Sequence, residues 1–277
     1  MSQQPRSNIE WQSWGKSDPL YGVASLEGRN RRGQNPWTEI EFYAYGAQNW
    51  AEYSRQWESY GVHRESCVEI GCGAGRITRQ LSSYFQQVQA IDVSRDMIER
   101  ARLQVNPDRV DFHVTDGAVL PLADGSVTAA FSCDVFQHFN SAVFAENYFA
   151  EIFRVLSPGG SIMIHLPVFS WPGAMRRSFS GLYSIWQTGE ALKAEVRRQL
   201  LRIRLGNPFM FGIKYESKRL HESLGELGFR DIEIRFFENS GNGGRPDLRS
   251  YLFARKPIAT QTKQYSVVTN ISSGWIR

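Results

Sequence analysis

The chain has 277 residues, 42% of them apolar and 22% charged, with a net charge of +4. This is enough for one sizeable α/β core plus an accessory part, and no apolar run reaches the ~18 residues that a spanning helix needs. Cys67, Cys72 and Cys133 cannot all pair and form neither a CxxC nor a Cys/His cluster, which argues against a disulfide framework or a structural metal site and for small buried thiols in a reducing compartment. Met1 to Arg6 lacks an apolar secretory segment, so a cytoplasmic location is expected.

Residues 1–62 read as an aromatic leader containing Trp11, Trp14, Tyr21, Trp37, Phe42, Tyr43, Tyr45, Trp50, Tyr53, Trp57 and Tyr60. Glu27 to Pro36 reads as a polar loop, and Glu39 to Tyr60 as a helix. An aromatic stripe at helical spacing is ordinarily core. The competing reading is a lid in which Trp14 or Tyr21 covers a ligand and excludes water, with Tyr21 touching substrate.

Next comes Val68-Glu69-Ile70-Gly71-Cys72-Gly73-Ala74-Gly75, an apolar strand that carries an acid and runs into three alternating glycines. Glycines there let the backbone turn sharply and approach a ligand closely. The spacing is E-x-G-x-G-x-G with Arg76 following, whereas a dinucleotide site needs G-x-G-x-x-G. An acid beside the turn repels a pyrophosphate and suits a cation, such as the α-ammonium of an amino-acid ligand. Arg76 to Phe85 reads as a helix and Val88 to Asp92 as a short buried strand. Asp92 lies 17 residues past Gly75, near the distance at which an α/β nucleoside site places its ribose acid. Ser94 is a candidate N-cap for a helix with Met97, Ile98 and Ala101 on its apolar side. Val110 to Val114 is the third strand, followed by Thr115-Asp116-Gly117; Val127 to Cys133 is the fourth. A helix ending at Leu156 is expected to stop at Ser157-Pro158-Gly159-Gly160, before a fifth strand, Ser161 to Leu166. Further on, Leu220, Leu224, Leu227 and Gly228 suggest a helix with a glycine stop, and Phe229 to Phe237 and Arg249 to Lys256 two more strands.

The glycine loop, Asp92, Asp116-Gly117 and Ser157-Pro158-Gly159-Gly160, in this order, resemble the class I S-adenosylmethionine (SAM)-dependent methyltransferases of small-molecule type. The likeness is strong over Ser66 to Leu166 and weak over Tyr215 to Lys256. It implies an α/β fold, a Rossmann-like doubly wound seven-stranded sheet closed by an antiparallel pair. It also implies SAM as cofactor and S-adenosylhomocysteine (SAH) as product. The cofactor residues it implies are Glu69, Gly71, Cys72, Gly73, Gly75, Asp92, Val93, Met97, Asp116, Gly117 and Cys133. Asp116 falls where family members hold the adenine amino group. On this reading the core spans 63–167 and 220–256, with a mainly helical insertion at 168–219 and a tail at 257–277.

Open α/β sheets bind ligands outside the carboxyl ends of their strands, where the insertion emerges, so Trp171 and Tyr183 are candidate substrate contacts. Methyl transfer needs alignment and exclusion of water, and a base only where the acceptor must lose a proton. His138, after the fourth strand, is the first candidate base or orienting group, with Gln137 beside it as a substrate contact; His165 is the second. His138 could equally be a structural histidine, and His165 reads more readily as a satisfied histidine under the insertion. The region Arg176 to Arg219 is rich in arginine, which suits a polyanion or, equally, a solvated face. A helix over Glu190 to Leu205 would then pack on the core or on a second subunit, giving a possible homodimer. The sequence lacks an N-P-P-Y element, a cluster of closely spaced acids that would hold a divalent metal, and paired catalytic cysteines. The expected reaction is therefore O-methylation of a small molecule, N-methylation next, with no metal and nucleic acid disfavoured. The alternatives are an RNA-modifying enzyme and a catalytically silent SAM-binding subunit.

Overall fold

The computed structural model describes residues 6–26, 29, 35–117, 119–139, 141–169, 213–239 and 247–258. Trp171, Tyr183, the arginine-rich stretch up to residue 212 with its expected helix, and residues 259–277 lie outside these described residues.

In chain order the elements are α1 (Arg6–Ser17), α2 (Pro19–Val23), α3 (Glu39–Tyr60), β1 (Ser66–Ile70), α4 (Thr78–Tyr84), β2 (Gln87–Asp92), α5 (Arg95–Arg102), β3 (Val110–Val114) and β4 (Val127–Ser132). After a 3₁₀ turn at Phe136–His138 follow α6 (Ala142–Val155), β5 (Leu156–His165), β6 (Val168–Phe169), β7 (Tyr215–Glu216), α7 (Ser217–Leu227), β8 (Arg230–Asn239) and β9 (Asp247–Arg255). Seven strands form one sheet in the order β3-β2-β1-β4-β5-β9-β8, with β1 to β5 parallel and β9 antiparallel to both neighbours. The strand order reverses between β1 and β4, the place where open α/β sheets bind ligands. This is the expected Rossmann-like sheet.

The strands alternate side chains between two buried layers. Val68, Ile162 and Ile164 face α6 and α7, where Phe149, Ile152, Leu220 and Leu224 meet them. Cys67, Phe131 and Met163 face the other way, against Trp50, Tyr53 and Trp57 of α3 and Leu81 of α4. Helix α3 is therefore part of the core. Its start is set by a capping box between Thr38 and Glu41, and its end by Gly61 in the left-handed region at φ 93°. Helix α1 packs across the start of α5, so closely that a Cβ on Gly15 would lie 2.2 Å from Ser94 Oγ.

The helix–strand boundary before β5 differs from expectation. Ser157-Pro158-Gly159-Gly160 does not separate helix from strand, because α6 ends at Val155 and β5 begins at Leu156. The register against β4 jumps there, from Val127↔Leu156 to Ala129↔Ser161, and Gly159 takes φ 83°. The motif is thus a bulge inside the strand, a local chain excess that glycine absorbs.

Candidate active site

The glycine loop turns at the carboxyl end of β1. Gly71 and Cys72 donate their amides to Ile91 O at 2.8 and 3.0 Å, which ties the loop to β2. Gly71 and Gly73 have φ of 75° and 52°, and a Cβ on Gly71 would come within 2.2 Å of Val135 Cγ2. Glycine is needed here both for the turn and for the close approach. Asp92, at the end of β2, accepts the Gly73 amide at 2.8 Å and the Ser94 amide at 2.9 Å. Burial raises its pKa, against those amide hydrogen bonds.

Above this turn lies a cavity of about 70 Å³ whose wall includes Gly71, Gly73, Asp92, Val93, Cys133 and His138. Ligand pockets usually run from ~300 Å³; here the leader closes the space. Asn8, Trp11 and Gln12 share one face of α1. Asn8 Nδ2 donates to Asp116 O at 2.5 Å, Gln12 Nε2 donates to Val93 O at 3.4 Å, and Trp11 meets the His138 ring edge-on at 5.4 Å. Val23, the last residue of α2, packs where a Cβ on Gly73 would stand 2.8 Å from it.

A second cavity, about 180 Å³, adjoins the first and shares Trp11, Val23, Asp134 and His138 with it. Its polar centre is Asp134, a non-glycine residue in the left-handed region at φ 61°. Its carboxylate accepts from Arg249 Nη1 at 2.8 Å and Arg76 Nη2 at 3.3 Å, and His165 Nδ1 stands 3.2 Å from Oδ1. Burial works to raise its pKa, but Arg249, His165 and Arg76 together hold it well below the usual carboxylate range.

The expected site residues divide accordingly. Gly71, Gly73, Asp92, Val93, Cys133 and His138 line the first cavity, and Gln137 lines the second with His138. Cys72 and Met97 are instead buried in apolar clusters, and Gly75 packs the loop on Ala101 of α5. Asp116 and Gly117 reach the cavity wall only through their neighbours: Asn8 bonds the Asp116 carbonyl, and Gly117 faces the Tyr148 hydroxyl. Tyr21 does not line either cavity and packs against Trp14, which is itself 4% exposed in the leader's apolar cluster. The covering residues are Trp11 and Val23, three residues before Trp14 and two after Tyr21. His165 also stays out of both walls and acts on Asp134 from behind. Glu69 lines neither cavity and faces the α3 side of β1, 3% exposed, with Oε2 lacking a hydrogen-bond partner among the described residues; burial raises its pKa to about 7, against Thr78 and the Arg76 charge. A buried, unmatched carboxylate oxygen at the glycine turn fits a site that receives a cation.

His138 sits in the wall with Nε2 3.1 Å from Gln137 Nε2. Burial lowers its pKa to about 4, so the ring is neutral near pH 7. Among the described residues, Cys133, Asp134 and His165 are the one group with metal-ligand spacing, but Arg76 and Arg249 already place positive charge on that carboxylate, which opposes a divalent cation. The sequence pattern missed Asn8, Trp11, Val23, Arg76 and Arg249 as cavity residues. Arg76 alone had a signal, since it follows the glycine loop directly.

Residues 68–164 match the family described as "Methyltransferase domain". Malonyl-[acyl-carrier protein] O-methyltransferase of Hahella chejuensis is 33% identical over 108 residues, 37% of this chain and 38% of that protein. A ubiquinone/menaquinone biosynthesis C-methyltransferase of Desulfotalea psychrophila is 28% identical over 95 residues, 34% of this chain and 37% of that protein. The match thus spans little more than a third of either relative's length. The magnesium protoporphyrin IX methyltransferase of Synechocystis PCC 6803, solved with bound SAH, shares the fold at a TM-score of 0.54 and 14% identity, covering 89% of this chain and 99% of that one. Residues 68–164, with their glycine turn and their acid at the end of β2, thus match a methyltransferase domain, and the sheet order is that of the class I SAM-dependent methyltransferase fold.

Proposed function

We propose that the protein methylates a small molecule, at oxygen in the first place and nitrogen next. The observation that carries this reading is the junction of the two cavities at Trp11, Asp134 and His138, which puts room for an acceptor directly beside the glycine turn. SAM, when bound, supplies an electrophilic methyl group on a sulfonium.

The chain's own residues supply binding, orientation and dryness. Asp92 offers the ribose hydroxyls a carboxylate, and Glu69 offers negative charge at the turn for an ammonium group. Helix α1 excludes water through Trp11. His138, neutral and buried, orients an acceptor by hydrogen bonding more readily than it takes up a proton, because a base near pKa 4 has little driving force at pH 7. A carboxylate acceptor would need no base. Three free thiols, two of them buried, support a cytoplasmic location. Among the described residues no helix is long and apolar enough to cross a membrane.

Calorimetric titration with SAM and, separately, NADH tests the cofactor half of this reading. Micromolar SAM binding without NADH binding is expected, followed by SAH release with hydroxylated, carboxylated or amine acceptors. A folded protein that binds SAM but turns over none of these would be a silent subunit instead.

A further inference from the structure

The second cavity carries a cation whose hydrogen bonding is incomplete. Arg76 is 4% exposed. Its backbone carbonyl and Cγ press on Gly46 of α3, where a Cβ would come within 2.5 and 2.8 Å, and its guanidinium lies 5.2 Å from the Tyr45 ring centroid. Nη2 reaches Asp134 at 3.3 Å, a long contact for a charged pair, while Nε and Nη1 are buried with no hydrogen-bond partner among the described residues. Asp134 is more closely engaged by Arg249 and by His165. A buried guanidinium with unmet N–H groups is costly, and an anion supplied by a ligand is the natural remedy.

We propose that Arg76 forms a carboxylate-binding subsite, so that the substrate carries a carboxylate held in the cavity lined by Arg76, Tyr45, Trp11 and Asp134. Asp134 decides between anions. Its own negative charge faces the same space, so a monoanion is accepted more readily than a dianionic phosphate. Trp11 and Tyr45 give the remainder of the ligand an aromatic wall. The inference deepens the methyltransferase reading and rests on it for the ligand's identity as substrate; the anion site itself stands on Arg76 alone.

The test uses the full chain saturated with SAH, and separately without it, titrated with benzoate, its neutral analogue benzyl alcohol, and phenyl phosphate, followed by calorimetry and tryptophan fluorescence. Benzoate is expected to bind at least tenfold more tightly than benzyl alcohol and more tightly than phenyl phosphate. Arg76→Gln should lose that preference, and Arg76→Lys should keep part of it. Equal binding of benzoate and benzyl alcohol, or unchanged benzoate affinity in a folded Arg76→Gln, overturns the subsite; tighter binding of phenyl phosphate overturns the carboxylate assignment. If Arg76→Gln does not fold, the wild-type comparison of benzoate with benzyl alcohol still decides. Failure of SAH to bind sinks the methyltransferase reading and leaves the SAH-free carboxylate result to be read by itself.

Discussion

The aromatic leader is two regions with different work. In α3, Tyr53 and Trp57 are fully buried against Phe131 and Phe253 of the sheet, and Trp57 Nε1 donates to Ser161 Oγ at 3.1 Å. In α1, Trp11 is only half-buried, and its face meets His138 and the cavity. Similar side chains at similar spacing therefore serve as core on one side of the glycine turn and as cover on the other. What separates them is the surface each helix lands on: α3 meets a continuous apolar sheet face, and α1 the carboxyl ends of strands, where backbone groups and Asp92 are exposed to a ligand.

The sharpest way to break this contrast is Trp57→Ala. It should cost roughly 3 to 5 kcal/mol of folding stability in denaturant unfolding, as a large buried aromatic does. A loss below ~1 kcal/mol would mean that α3 is not core. On the other side of the turn, Asp92→Ala should weaken SAM by roughly 2 to 4 kcal/mol in calorimetry, by removing a charged acceptor for the ribose. Because Asp92 also holds two loop amides, the folded state must be verified by circular dichroism alongside.

Glu69, on the α3 side, joins stability to binding. Its folded pKa of about 7 lies above the ordinary 4.5, so its protonated form stabilises the fold below pH 4.5 and that contribution is lost as pH rises through 7. Glu69→Gln should therefore be more stable than wild type at pH 8, by up to about 3 kcal/mol, and no different near pH 4.5. It should also gain less stability from added SAM, since the ammonium then lacks its counter-charge; equal SAM-dependent shifts in melting temperature would remove Glu69 from the site. His138 has the opposite sign. Its folded value near 4 lies below the ordinary 6.5, so stability present above pH 6.5 is lost as pH falls toward 4, and His138→Gln should flatten that acid limb in pH-dependent melting.

Trp11→Ala should have the smallest effect on the fold, under about 1 kcal/mol, because its side chain is only partly buried and borders the cavity rather than the sheet core. It should nonetheless weaken SAM and lower turnover by about tenfold, read by calorimetry and SAH release. Were it to unfold the protein as Trp57→Ala does, the leader would be a single structural unit rather than a core helix and a cover.

Much of the sheet was readable from local pattern. The strand at 110–114 and the helix at 39–60 stand where apolar periodicity puts them, and Asp92 at the end of its strand accepts the Gly73 amide. These features depend on period, capping and glycine, which act over a few residues. The bulge at Gly159 escaped that reading because Leu-Ser-Pro-Gly-Gly looks like a stop until β4 and β9 pair on either side of it. The pairing of Asp134 with Arg249 escaped it too, since 115 positions separate them and the sheet order alone brings β9 near β4.

By itself the sequence determined the methyltransferase domain of residues 68–164, the glycine turn, the acids around it and the parallel core, because each is written in contiguous residue types whose chemistry is local. Only the tertiary structure decided that Trp11 rather than Trp14 covers the cavity and that His165 braces Asp134 instead of lining the wall. It also decided that Arg76 faces the second cavity with Nε and Nη1 unpartnered among the described residues. Those outcomes depend on which helix face lands on which strand end, and that is settled by the packing of segments far apart in the chain.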